Sequence, residues 1–110
     1  MFVSTFTFAP GAFDAEFHRM DAAIAAAARA IPGYLGEETW ENPATGLVAN
    51  SYYWDSMAAL EQLMQHPTHR AAKQQQARWL AGYHVVVAQV LAAHGDGRIA
   101  HPLARATPPG

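Results

Sequence analysis

Seven side chains suited to binding or proton transfer lie between residues 50 and 84 of the chain. They are Asn50, Tyr52, Trp54, His69, Gln76, Trp79 and His84. An Asn amide can donate a hydrogen bond to a phenolate or carbonyl oxygen, and an imidazole titrates close enough to neutral pH to accept a proton. An indole adds a flat apolar wall with one N–H donor. These groups suit the binding and deprotonation of a small aromatic molecule.

The spacing of these residues places them on two elements. Asn50, Tyr52 and Trp54 alternate, so they share one face of a strand, whereas Tyr53 faces the other way. On the following helix, the spacings of three and four put a second group on one stripe, namely His69, Gln76 and Trp79. We therefore predict Asn50, Trp54 and His69 as catalytic residues, with His69 as general base. The predicted substrate-binding residues are Tyr52, Gln76, Trp79 and His84.

The same residues also fit structural roles. Asn50 could satisfy backbone groups near its strand, Trp54 could belong to the core, and His69 could be exposed or cap a helix. His84 also fits a hydrogen-bonded position at a dimer interface. His66 and His69 have a His-x-x-His spacing, but no carboxylate lies at a suggestive spacing, so we expect no metal site and no cofactor.

Hydrophobic periodicity and turn residues predict the order β-α-β-β-α-β, with the second helical region broken at Pro67. The predicted strands are 2–8, 34–41, 47–54 and 83–91, and the predicted helices are 13–31, 57–65 and 68–81. Asp55 or Ser56 should cap the second helix. Gly82 should end the last helix in a left-handed turn. This order is typical of an α+β fold, the ferredoxin-like βαββαβ sandwich. Residues 1–97 form the domain, and 98–110 a tail or arm.

Composition limits the classes of partner. The chain has 110 residues, 51% of them hydrophobic, and a net charge of −2, which argues against nucleic-acid and membrane binding. Neither face of the third or fourth strand is polar, so both faces of the sheet should be covered. Helices cover one face, and a homodimer through the sheet would cover the other. The sequence contains no cysteine and no recognisable targeting segment, and we expect a soluble, cytoplasmic protein.

Three local segments carry a resemblance to a known family. They are 31–36 (IPGYLG) entering the second strand, 53–56 (YWDS) leaving the third, and 66–70 (HPTHR) opening the last helix. In order and spacing, residues 1–92 resemble the antibiotic biosynthesis monooxygenase-like proteins, a group of dimeric α+β barrels. The resemblance implies a cavity between sheet and helices in each subunit.

Two activities of that family can be compared with this sequence. In the quinone-forming, cofactor-independent oxygenases, an Asn and a Trp four residues apart face the substrate, and Asn50 and Trp54 match them. The same oxygenases carry a Tyr and an Arg further along the chain. By spacing these would fall near Leu60 and Gln74, so this sequence lacks both. The haem-degrading type has an axial His on the last helix, a Trp on the preceding helix and an Asn on strand one. The corresponding positions here hold Lys73, Leu63, and Phe6 or Thr5, so none of the three residues is present.

The resemblance therefore favours a cofactor-independent monooxygenase that oxidises a small aromatic phenol or quinol. Two alternatives remain open at the level of sequence. One is a non-catalytic binder of haem or another planar hydrophobic ligand. The other is a silent dimerisation or stress-associated module with a filled core.

Overall fold

The computed structural model describes residues 1–104, and these contain four strands and three helices. The strands are β1 (Phe2–Pro10), β2 (Tyr34–Glu41), β3 (Val48–Trp54) and β4 (Leu80–Gln89). The helices are α1 (Ala15–Ala30), α2 (Met57–Gln65) and α3 (Pro67–Trp79). The predicted order of elements is confirmed, and the predicted bounds of β2 and α2 are the observed ones.

The strands form one antiparallel sheet in the order β2-β3-β1-β4. This order places the first and third strands in the centre and is that of the ferredoxin-like fold, as predicted. Strands β2 and β3 form a hairpin whose turn is closed by the amide of Gly46, which donates to the Asn42 carbonyl at 2.8 Å. Gly46 has φ +74, in the left-handed region that glycine adopts without strain.

Side chains at the start of each helix fix where it begins. The Asp14 carboxylate accepts from the amide of Phe17 at 2.8 Å, so α1 starts two residues later than predicted. Ser56, rather than Asp55, caps α2, and the His66 ring accepts from the amide of Thr68 at the start of α3. Within residues 1–104, every helix falls short of the length and apolar character that crossing a membrane requires.

The prediction that Gly82 ends α3 in a left-handed turn is wrong. The helix ends at Trp79, and β4 begins at Leu80, which pairs with Pro10 after a shift in register. Gly82 pairs with Ala9 inside the strand, and its φ is not positive. Pairing with the long first strand therefore draws the chain into the sheet earlier than the local sequence indicates.

The helices cover one face of the sheet, called here the inner face. A compact core lies under α1 and α2 and consists of Ala28, Trp54, Ala59, Leu60 and Leu63, with further apolar side chains packed around it. Near β4, by contrast, inner-face side chains stay partly uncovered, and Tyr83, Val85 and Val87 are between 43% and 51% exposed. The space between sheet and helices is thus filled at one end and open at the other.

The opposite, outer face carries small and β-branched residues together with Trp40, Tyr53 and His84, and part of the predicted tail lies against it. The His101 ring packs edge-on against Tyr53, with ring centroids 5.2 Å apart, and its Nε2 lies 3.4 Å from Glu38 Oε1. Pro102 lies against Gly36, and Leu103 is buried. Residues 101–103 therefore pack on the sheet of their own chain, whereas 105–110 of the predicted tail lie outside the described residues.

Candidate active site

A cavity of about 470 Å³ lies between the inner face of the sheet and helices α1 and α3. Apolar side chains from every surrounding element supply most of its wall. The lining residues whose side chains can form hydrogen bonds are Ser4, Asp21, Asn50, Tyr52, His69, Lys73, Gln76, Trp79 and Tyr83. Five of the seven residues predicted from sequence are among them: Asn50, Tyr52, His69, Gln76 and Trp79.

Strand pairing arranges the floor of the cavity in rows. Phe6 pairs with Asn50 on one side and with Val85 on the other, so these three side chains lie side by side. Ser4 similarly pairs with Tyr52 and with Val87. Because side chains alternate along each strand, the whole row points to the same face. The floor is therefore apolar around one amide and one phenol.

A hydrogen bond from β2 orients the Asn50 amide. Thr39, which pairs with Asn50 across the two strands, donates from its Oγ1 to Asn50 Oδ1 at 2.8 Å. The acceptor atom of the amide is thus occupied. Among the described residues Asn50 Nδ2 has no hydrogen-bond partner, which leaves a donor at the cavity for a ligand oxygen.

His69 faces the cavity from α3 in a form suited to accepting a proton. Its Nδ1 is buried and has no hydrogen-bond partner within residues 1–104. Burial lowers the pKa of His69 below its ordinary value; a hydrogen bond involving the Met64 backbone opposes this, and the charges of Lys73 and His66 add to it. The imidazole is therefore held neutral near neutral pH. Because Nδ1 is shielded from solvent, it is not the atom that a molecule in the cavity would contact.

Trp54 does not line the cavity. Its side chain is fully buried, at 0% exposure, and its Nε1 donates to Ser4 Oγ at 3.1 Å. Its ring lies between two tyrosines, with centroids 5.9 Å from Tyr34 and 6.1 Å from Tyr52. The strand does place Trp54 on the same side as Asn50, but helices α1 and α2 close over this end of the sheet. In this structure Trp54 supports the residues that form the floor, and its position matches the structural alternative.

Trp79 and Gln76 complete the wall on α3. Trp79 is only 3% exposed and packs edge-on against Phe17 of α1, with ring centroids 5.6 Å apart. The guanidinium of Arg78 lies 5.3 Å from the centre of the Trp79 ring on the solvent side. Trp79 thus joins α1 to α3 at the edge of the cavity, and Gln76, one turn earlier, adds an amide to the same wall.

His84 lies away from the cavity, contrary to the prediction that it binds substrate. It pairs with Thr7 in β1, and the residues of β4 that share the cavity face with Phe6 are the odd-numbered ones, such as Val85. His84 therefore points to the outer face of the sheet, where it is exposed. The register of β4 against β1 determines which face of the sheet His84 occupies. Alternation within β4 alone does not determine this face.

Asp21 also lines the cavity and is not among the site residues predicted from sequence. Asp21 lines the cavity together with Phe17, Met20 and Ile24. The signal was present in the sequence, because Asp21 is four residues after Phe17 and three before Ile24 and so belongs to the same apolar stripe. Burial raises the pKa of Asp21, with nearby Glu37 adding to the rise and His18 opposing it.

The described part of the chain contains no group of three or more His, Cys, Asp or Glu side chains that could hold a metal ion. The cavity instead offers two amides (Asn50 and Gln76), a neutral imidazole (His69), two phenols (Tyr52 and Tyr83), one carboxylate (Asp21) and one ammonium group (Lys73) within a largely apolar wall. Such a set can bind an uncharged aromatic molecule and move a proton to or from it.

Comparison with known proteins adds the fold class. No family model matches the sequence, and no curated protein matches it either. Solved structures do match. Rv0793 from Mycobacterium tuberculosis superposes with a TM-score of 0.70 at 18% identity, over 84% of this chain and 96% of that one.

Two further neighbours carry functional descriptions. One, from Deinococcus radiodurans, is provisionally assigned as an antibiotic biosynthesis monooxygenase (TM-score 0.69, 20% identity, 84% of this chain and 95% of that one). The other, SnoaB from Streptomyces nogalater, is a cofactor-independent oxygenase (TM-score 0.68, 14% identity, 84% and 94%). The chain therefore has the ferredoxin-like fold of the antibiotic biosynthesis monooxygenase-type proteins, as the sequence resemblance indicated. Identities this low establish the fold alone.

Proposed function

We propose that the protein is a cofactor-independent monooxygenase that oxidises a small aromatic phenol or quinol in the inner cavity. The observation that carries this proposal is the pairing of the Asn50 amide, whose Nδ2 donor is free among the described residues, with the half-buried, neutral imidazole of His69 on the floor and wall of one largely apolar cavity. The structural similarity to a cofactor-independent oxygenase supports it.

The proposed reaction needs only placement and proton transfer from the protein. His69 takes the phenol proton, and the electron-rich anion passes an electron to dioxygen, which then combines with the ring carbon. One oxygen atom becomes the new carbonyl oxygen. The other leaves as water with two protons, which derive from the O–H and C–H groups of the substrate. Asn50 stabilises the negative charge on the substrate oxygen, and the apolar wall excludes bulk water.

The test is dioxygen uptake by chelator-treated protein with a panel of anthrones and naphthohydroquinones, corrected for autoxidation. We expect uptake and quinone formation in equal amounts. His69→Gln should lower kcat about 100-fold or more, as the loss of a general base does. Asn50→Leu should lower kcat/KM by a similar factor, because the oxyanion loses its donor.

Two outer-face residues provide matched controls. His84→Gln removes an imidazole and Ser51→Ala a hydroxyl from positions that do not line the cavity; Ser51 is next to Asn50 in β3 but on the opposite face. Both should retain activity close to that of the unmodified protein. Uptake that is absent across the panel, or equally affected by cavity and outer-face variants, would reject the oxygenase.

A second candidate function is binding of a planar hydrophobic ligand without turnover. The feature that favours it is the predominantly apolar wall, in which a flat ligand could stack beside Trp79 and Phe17. Such a ligand should protect the protein against thermal unfolding but cause no dioxygen uptake. Titration with haem and with an anthraquinone, followed by the Tm, separates this function from the first.

We also propose that the chain forms a homodimer through the outer face of the sheet. Trp40 is 67% exposed there and Val86 is 49% exposed, although both lie on regular strands. Large exposed apolar side chains of this kind are common at protein interfaces. Trp40→Glu should convert a dimer into a monomer in light scattering. A monomeric unmodified protein at micromolar concentration would contradict the proposal.

A further inference from the structure

Asp21 is a carboxylate without a compensating partner at the cavity wall. Among residues 1–104 it forms no hydrogen bond and no ion pair, although His18 lies close enough to influence its charge. Its neighbours on the stripe of α1, Phe17, Met20 and Ile24, are apolar. The Asp21 side chain is exposed at the edge of the cavity, so its carboxylate oxygens can accept a donor that a ligand brings.

The nearby carboxylate Glu37 is, by contrast, fully engaged. The Arg29 guanidinium lies 2.6 Å from Glu37 Oε1, and the Tyr34 hydroxyl donates to the same oxygen at 3.0 Å. Glu37 therefore has a cation and a donor of its own, whereas Asp21 has no hydrogen bond and no ion pair within residues 1–104. Of the two, Asp21 is the acceptor that remains available to a molecule in the cavity.

Tyr52 places a protonated phenol close to Asp21. Burial raises the pKa of the Tyr52 hydroxyl well above its ordinary value, and the charges of Glu37 and Asp21 raise it further. The hydroxyl thus stays neutral beside Asp21 and Glu37. Of these two carboxylates, Glu37 is paired with Arg29, and the ammonium group of Lys73 lines the cavity from α3. An aromatic carboxylate placed against Asp21 itself is repelled, whereas a neutral hydroxyl donates to it.

We infer that Asp21 binds a hydroxyl group of the aromatic ligand and thereby selects neutral hydroxylated aromatics over aromatic carboxylates and ethers. This specificity role rests on the cavity named in the proposed function, but it concerns binding and does not require turnover. The ligand hydroxyl donates to a carboxylate oxygen of Asp21, while the rest of the ring system occupies the apolar part of the cavity beside Trp79.

Calorimetric titration with three unreactive probes tests the inference. The probes are 2-naphthol, 2-methoxynaphthalene and 2-naphthoate, which share a ring system and differ in the polar group. The unmodified protein should bind 2-naphthol about tenfold more tightly than the ether, as a hydrogen bond to a charged acceptor implies. It should bind 2-naphthoate more weakly than either.

Two substitutions separate the charge from the acceptor. Asp21→Asn keeps a carbonyl acceptor and loses the charge, so it should mainly strengthen binding of 2-naphthoate. Asp21→Leu should abolish the preference for 2-naphthol over the ether. Glu61→Gln is the matched control, because it removes one negative charge from an exposed position on α2 outside the cavity, and it should leave the preference unchanged.

The result that would overturn the inference is equal affinity for 2-naphthol and its ether in the unmodified protein, or failure to bind either. A preference that persists in Asp21→Leu would overturn it as well. The proposed oxygenase is judged separately. A preference lost in Asp21→Leu, together with no dioxygen uptake, would uphold this specificity role and reject the oxygenase, whereas uptake without any preference would do the reverse.

Discussion

Thr39 holds the amide of Asn50 across the β2–β3 hairpin through a hydrogen bond of 2.8 Å from its Oγ1 to Asn50 Oδ1. The two residues are directly opposite each other in the strand register. An amide has one acceptor oxygen and one donor nitrogen, so occupying the oxygen decides which group the cavity sees. The orientation of the proposed catalytic amide thus depends on an exposed residue of the neighbouring strand.

Replacing Thr39 should therefore affect activity more than stability. In Thr39→Val the Asn50 amide is free to rotate, and we expect kcat/KM to fall about tenfold, a value typical of losing one positioning hydrogen bond. Thr39→Ser keeps the hydroxyl and should restore most of the activity. Steady-state kinetics of both variants, with their Tm values, provide the check. Equal activity of the Val and Ser variants would show that the hydrogen bond has no part in orientation.

The stability of the protein should decrease at mildly acidic pH because of His69. Its pKa lies below the ordinary value of 6.5 in the folded chain, owing first to burial. The unfolded chain therefore binds a proton at a higher pH than the folded chain does, which favours unfolding. Stability is unaffected above the unfolded pKa and falls as the pH drops from about 6.5 through the folded value.

The measurement is urea unfolding between pH 5 and 8 for the unmodified protein and His69→Gln. We expect the loss of stability in this range to be smaller in the variant. His84→Gln, on the outer face, should keep the full loss. A profile for His69→Gln that coincides with that of the unmodified protein would contradict the assignment.

Replacing Trp54 should lower the stability of the folded protein. In Trp54→Phe the Ser4 hydroxyl loses its indole donor, and a gap opens beside Tyr34 and Tyr52, which together should cost about 2–3 kcal/mol of unfolding free energy. Leu91→Ala, at a position 90% exposed and beyond the end of β4, should cost well under 1 kcal/mol. Denaturant titrations of both variants test this. A Trp54→Phe variant as stable as Leu91→Ala would place Trp54 outside the stabilising core.

Gly33 should tolerate no side chain. Its φ is +102, and an added Cβ would collide with the Asp55 carboxylate and approach Ala59 Cβ to 2.9 Å. Gly33→Ala should lower the unfolding free energy by about 2 kcal/mol or more, from backbone strain and the collision together. Gly46 provides the comparison, since its φ is +74 but nothing lies within 4 Å of its added Cβ. Gly46→Ala should cost less, about 1 kcal/mol.

Local patterns were sufficient to predict most of the fold. Alternation in β3 put Asn50 and Tyr52 on one face, and the three-four spacing in α3 put His69, Gln76 and Trp79 on one stripe, since both periods follow from backbone geometry. Both groups line the same cavity. Whether they take part in catalysis remains a prediction.

The misplaced residues depend on relationships between distant parts of the chain. His84 faces outward because of the register between β4 and β1, and Gly82 lies in a strand because Ala9 pairs with it. The burial of Trp54 depends on how two helices close over the sheet, and its partner Ser4 is 50 positions away. Alternation within a single strand cannot predict these positions, because they depend on strand register and on tertiary packing.

Helix α3 supplies much of the cavity wall and almost nothing to the core. Trp79 is its one buried residue, and the core cluster of Ala28, Trp54, Ala59, Leu60 and Leu63 contains no residue from it. Substitutions along this helix can therefore change the shape and chemistry of the cavity at little cost in folding free energy. A chain built in this way can acquire new ligands by sequence drift in α3 alone, while the remaining elements keep the scaffold intact.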